Sequence, residues 1–131
     1  MIRRNAMRRL VPSMFAAALA GCAPEAMNNR QATEFNAFLD RIATVCQPLV
    51  IGSRDVGQDI RQGRGFGDDY AYFLDMTSRL YYGQITADAY GSGITGFFGP
   101  GASTNAALGC IVANVPANRA LPPGAPPPLK P

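Results

Sequence analysis

The sequence predicts a mainly α-helical domain: a small bundle of about four short helices, stapled by one disulfide, with glycine-rich loops between them. Three observations predict it. Apolar residues recur at 3–4 spacing over residues 35–46 and 70–81, and an almost wholly apolar stretch follows at 106–115. Glycines cluster between these stretches, three within residues 63–67 and five within residues 91–101. The segment that carries the pattern, residues 33–120, holds one modest core, and a domain of that size gains from a covalent staple.

In chain order, Thr33 is placed to cap the first helix, with Glu34 in its first turn where the helix dipole favours an acid. Phe35, Phe38, Leu39, Ile42 and Cys46 form one stripe, and Asp40, Arg41 and Thr44 lie off it. The helix ends near Gln47, because Pro48 restricts the residue before it. Residues 49–51 are compatible with a short strand, but no partner strand is evident nearby. Asp55, Val56, Asp59 and Ile60 suit a second, shorter helix. Residues 62–67 form a loop whose Phe66 either fills the core or marks a contact surface. Asp68 or Asp69 caps the third helix, with Tyr70, Phe73, Leu74, Thr77, Leu80 and Tyr81 on its inner stripe and an Asp75–Arg79 pair outside. Residues 85–90 extend it and Gly91 stops it. Residues 91–101 then form a glycine-rich loop containing Phe97 and Phe98. Ser103 or Thr104 opens the last helix, with Ala106, Ala107, Cys110, Ile111 and Asn114 on one side. No charge occurs from Tyr90 to Asn118, so this helix is expected at the centre, packed on the first, and ended by Pro116. Residues 121–131 form a proline-rich tail, expected to be disordered; their six prolines after residue 121 suit a spacer or docking strip.

The start of the chain carries an address. Arg3, Arg4, Arg8 and Arg9 precede a short apolar run, residues 10–20, which is too short to span a bilayer at about 20 residues. It closes on Leu19, Ala20, Gly21 and Cys22. This resembles the signal peptide and lipobox of bacterial lipoproteins. The resemblance covers residues 1–22 and implies that residues 1–21 are removed and that Cys22 receives the lipid. Residues 22–32 then read as a polar tether from lipid to domain. Two or three acyl chains anchor stably, at about 0.8 kcal/mol per buried methylene. In the Gram-negative sorting pattern an Asp after the cysteine favours inner-membrane retention. Here Ala23 follows, so the resemblance implies the outer membrane, facing the periplasm.

Removal of the leader changes the charge. The whole chain has 12 basic and 9 acidic residues; without the four leader arginines the balance is 8 against 9. A nucleic-acid partner needs a clustered basic surface, and none is expected. Export also means an oxidising compartment, in which Cys46 and Cys110, the two cysteines left after Cys22, are expected to pair.

Chemistry is sparse. The chain has no histidine, so the commonest base near neutral pH is missing. Two isolated cysteines do not make a zinc site, and no metal or cofactor is expected. Residues 91–96 match Gly-x-Gly-x-x-Gly, but Asp88 is the last acid, so the ribose-binding carboxylate of a dinucleotide fold is lacking. Asp55 with Asp59, and Asp68 with Asp69, read as caps and solvated faces rather than as catalytic pairs. The expectation is a non-catalytic envelope lipoprotein, an accessory or structural component that binds another envelope protein. Phe97 and Phe98 in their glycine-rich setting, and Tyr72 and Tyr82 off the helical stripe, are the candidate interface residues. The alternative is a binding module for a small apolar or cell-wall-derived ligand, in a cavity lined by Tyr70, Phe73, Tyr81, Phe97 and Phe98.

Overall fold

A computed structural model describes the backbone of residues 24–119 and the side chains of residues 32–119. The expected leader (1–21), the expected lipidation site Cys22 and the proline-rich tail (121–131) lie outside the described residues. Five helices and one small hairpin follow in order: α1 Pro24–Val45, β1 Val50–Ile51, β2 Arg54–Asp55, α2 Val56–Gln62, α3 Asp68–Tyr81, α4 Ala87–Phe98 and α5 Ala102–Ala113. The fold is mainly helical, and Cys46 and Cys110 are joined as expected, with their Cα atoms 5.7 Å apart.

α1 buries the expected stripe: Phe38, Leu39, Ile42 and Cys46 are all inside. It starts at Pro24, however, not at a Thr33 cap, so most of the stretch expected as a tether is helical backbone. Proline suits the first helical position, where its missing N–H costs nothing, and residues 25–33 hold no proline or glycine to break the helix. The strand at residues 50–51 finds its partner two residues further on. Val50 pairs with Asp55 and Ile51 with Arg54 in an antiparallel hairpin. Gly52 makes the turn at φ +62°, and its N–H donates to Thr104 Oγ1 of α5 at 2.9 Å. Asp55 caps α2 by accepting from the Gln58 N–H at 2.9 Å.

α3 follows the expected stripe, with Phe73, Thr77, Leu80 and Tyr81 buried. Its cap is Gly67 rather than Asp68 or Asp69, which occupy the first turn instead. The main departure comes next. Only residues 99–101 of the expected loop lie outside a helix: Thr86 caps a new helix by accepting from the Ala89 N–H at 3.1 Å, and α4 runs through Gly91, Gly93 and Gly96 to Phe98. The glycine-rich sequence is held helical by tertiary packing, because Tyr90 and Ile94 are completely buried one turn apart. Such packing overrides the propensity cost of about 1 kcal/mol per glycine.

α5 also differs from expectation. It packs on β1 and α4, whereas α1 packs mainly on α2. Only one face of α5 is buried, at Thr104, Ala107, Leu108 and Ile111. Ala106, Gly109 and Ala113 lie exposed. Because those residues are small, an uncharged outer face exposes little apolar area. The disulfide ties α5 to the end of α1.

Tyr90 sits at the centre. It is fully buried on α4, and its hydroxyl lies 3.0 Å from Thr77 Oγ1 of α3, itself fully buried. Burial pushes the Tyr90 hydroxyl well above its ordinary value of 10.0. A group whose folded pKa is raised stabilises the fold fully below its unfolded pKa and loses that contribution as pH rises beyond it. Stability should therefore fall from about pH 10 upward. In an alkaline titration followed by phenolate absorbance, one of the five tyrosines should ionise only when the helical circular dichroism is lost. Tyr90→Phe should abolish that late step.

Candidate functional site

Three of the four candidate interface residues come together. Tyr72 on α3 stacks on Phe97 of α4, with ring centroids 4.3 Å apart and planes 15° from parallel. Phe98 meets Phe97 edge-on at 5.0 Å and Tyr72 at 6.3 Å. The two helices must lie close for this, and Gly93 permits it. A Cβ on Gly93 would stand 2.4 Å from Met76 Cε and 3.3 Å from the Tyr72 hydroxyl. That hydroxyl donates to the Gly93 carbonyl at 3.2 Å. Phe98 is set from below by the hairpin, where a Cβ on Gly52 would come within 2.9 Å of the Phe98 carbonyl oxygen. Phe97 remains 50% exposed. The result is a rigid aromatic ledge with one ring half in solvent, the kind of surface that contributes large contact area at low entropic cost.

Tyr82 lies apart from this patch. It packs against Phe35 of α1 at 6.1 Å and edge-on against Tyr81 at 5.0 Å. Burial pushes both tyrosine hydroxyls upward. Tyr82 therefore belongs to the joint between α1 and α3, not to the ledge.

The five residues expected to line a cavity pack in separate places. Phe73 is fully buried and packs on Tyr70 at 6.3 Å, and Phe97 and Phe98 pack on Tyr72. Tyr81 instead lines a groove beside α1 with Phe38 and Arg119.

A second cluster, not evident in the sequence, fastens the glycine-rich loop between α2 and α3. The Arg54 guanidinium bonds Asp59 and Asp69, donates to the Phe66 carbonyl at 2.8 Å, and lies 5.5 Å from the Tyr70 ring centre. It holds the Asp69 carboxyl below its ordinary value of 3.8. The adjacent acids thus have separate structural tasks: Asp55 caps α2, and Asp59 and Asp69 hold Arg54. Phe66 in this fastened loop is 76% exposed and so does not fill the core. Among the described residues, no three histidine, cysteine or acidic side chains gather in a way that could hold a metal ion.

These placements separate contact from core in energetic terms. Phe97→Ala should destabilise the protein by only about 1 kcal/mol, the worth of one exposed aromatic pair. Phe73→Ala should cost about 3–5 kcal/mol, the range for a fully buried ring. Denaturant unfolding of the two variants checks this; equal losses would make Phe97 part of the core. No family model, curated protein or solved structure matches this chain.

Proposed function

We propose that this chain is a lipid-anchored, non-catalytic component of the bacterial cell envelope. Its helical domain serves as an accessory or structural part by holding another envelope protein on the Tyr72–Phe97–Phe98 ledge. The lipobox-like residues 19–22 support the anchor at Cys22, and Ala23 after it supports an outer-membrane site facing the periplasm. The Cys46–Cys110 disulfide accords with an oxidising compartment.

One observation carries the binding role: the stacked Tyr72–Phe97 pair is pre-set by helix packing and yet leaves Phe97 half exposed. Its position favours a protein partner over the anchoring membrane. The ledge rests on Gly52, close after the end of α1, whereas the lipid site immediately precedes the other end of α1, at Pro24. The 22-residue helix puts roughly 33 Å between its two ends, at 1.5 Å per residue.

Two measurements test this reading. Cells fed a clickable palmitate should label the protein, and Cys22→Ser should remove both the label and membrane association. A photo-crosslinking residue at position 97 should then trap one envelope protein that is not trapped from position 45, which is also exposed, at 59%. Label that survives Cys22→Ser would contradict the anchor. The same products from positions 97 and 45 would contradict the ledge.

A further inference from the structure

A groove of about 830 Å³ runs between residues 34–41 of α1 and the chain that follows α5. Glu34, Phe38 and Arg41 form one wall, Tyr81 contributes to the floor, and Arg119 closes the other wall. Two aromatic rings line it, Phe38 and Tyr81, with centroids 5.1 Å apart. Arg119 donates through Nη1 to the Pro116 carbonyl at 2.9 Å. Its Nε is buried and has no hydrogen-bond partner among the described residues. A guanidinium can only donate, and a buried donor without an acceptor is unusual enough to need a reason. The groove therefore lacks an acceptor beside Arg119.

The sequence places a source of acceptors at that point. Arg119 is the last described residue, and residues 120–131 follow directly from it with six prolines. A proline-rich segment favours the polyproline II conformation, which leaves its carbonyls free and extends about 3.1 Å per residue. Twelve residues therefore reach about 37 Å, well beyond the roughly 10 Å that separates Glu34 from Arg41 along α1. Aromatic-lined grooves bind such segments because little entropy is lost on docking.

We propose that residues 120–131 fold back into this groove as an extended strip, with a tail carbonyl accepting from Arg119 Nε. Attachment in cis helps: a short tether supplies an effective concentration on the order of millimolar, so a weak intrinsic contact suffices. The groove is then occupied by the chain itself, and any other ligand has to displace the tail. This inference is independent of lipid anchoring and of the aromatic ledge.

The test compares nuclear magnetic resonance spectra of three proteins in detergent micelles. They are the full chain, a variant ending at Arg119, and a full-length variant with Pro122, Pro123, Pro126, Pro127 and Pro128 all changed to serine. Resonances of Glu34, Phe38, Arg41 and Tyr81 should move in the same direction in both variants, while those of Tyr72 and Phe97 stay in place. A synthetic peptide of residues 120–131 should restore the truncated protein's spectrum saturably, with a dissociation constant no weaker than about 1 mM. Arg119→Lys in the truncated protein should weaken that peptide about tenfold, the worth of one charge-assisted hydrogen bond. Groove resonances unmoved by truncation would overturn the proposal. So would shifts that grow with protein concentration, which would assign the groove to a second copy.

Discussion

The Cys46–Cys110 bond is the constraint on which the rest of the structure depends. It joins the end of α1 to α5 across a sequence separation of 64. The hairpin, α2, α3 and α4 all lie within the loop it closes. Closing such a loop removes about 4 kcal/mol of chain entropy from the unfolded state in the simplest treatment. That is a large share of the 5–15 kcal/mol typical of a whole domain. The bond is also well seated. Cys46 is buried, its N–H donates to the Ile42 carbonyl at 2.9 Å, and Asn114 Nδ2 lies 3.7 and 3.6 Å from the two sulfurs. The same bond brings α5 beside the hairpin that follows α1, where Thr104 accepts from the Gly52 N–H.

Within that loop, two devices turn a fold into a surface. Gly93 lies where α4 meets α3, its carbonyl accepts from the Tyr72 hydroxyl, and Tyr72 stacks on Phe97. Arg54 fastens the loop that leads into α3 through Asp59, Asp69 and the Phe66 carbonyl. The exposed rings therefore sit on rigid supports. An aromatic surface that is already ordered loses less entropy on binding than one ordered by its partner. This is the physical basis for proposing a contact role for the ledge, whereas Tyr82 packs between Phe35 and Tyr81.

Much of this was legible in the sequence where periodicity or counting carries the information. The stripes of α1 and α3 and the pairing of Cys46 with Cys110 follow from spacing and from the number of cysteines available. Phe97 and Phe98 stood out because aromatic rings are unexpected among glycines. The hairpin was illegible because two-residue strands carry no period. α4 was illegible because its glycines argue against a helix, and only the burial of Tyr90 and Ile94 shows what holds it. Tyr72 and Tyr82 looked alike, since both lie off the helical stripe of α3. What separates them is the neighbour each meets, Phe97 for one and Phe35 for the other, and local sequence does not encode it. The Arg54 cluster joins residues 54, 59, 66 and 69 across a loop, and no short motif marks it.

Anchor and staple together make the central claim, and one measurement addresses both: the intact mass of the protein extracted from its native membrane, with and without reduction before alkylation. The expected result is a chain beginning at Cys22, heavier by a diacylglycerol and one acyl chain, that takes up two alkyl groups only after reduction. An unacylated mass that retains residues 1–21, with two thiols alkylated before reduction, would contradict it. The domain would then be an unstapled cytoplasmic one, and the four leader arginines would count in its charge.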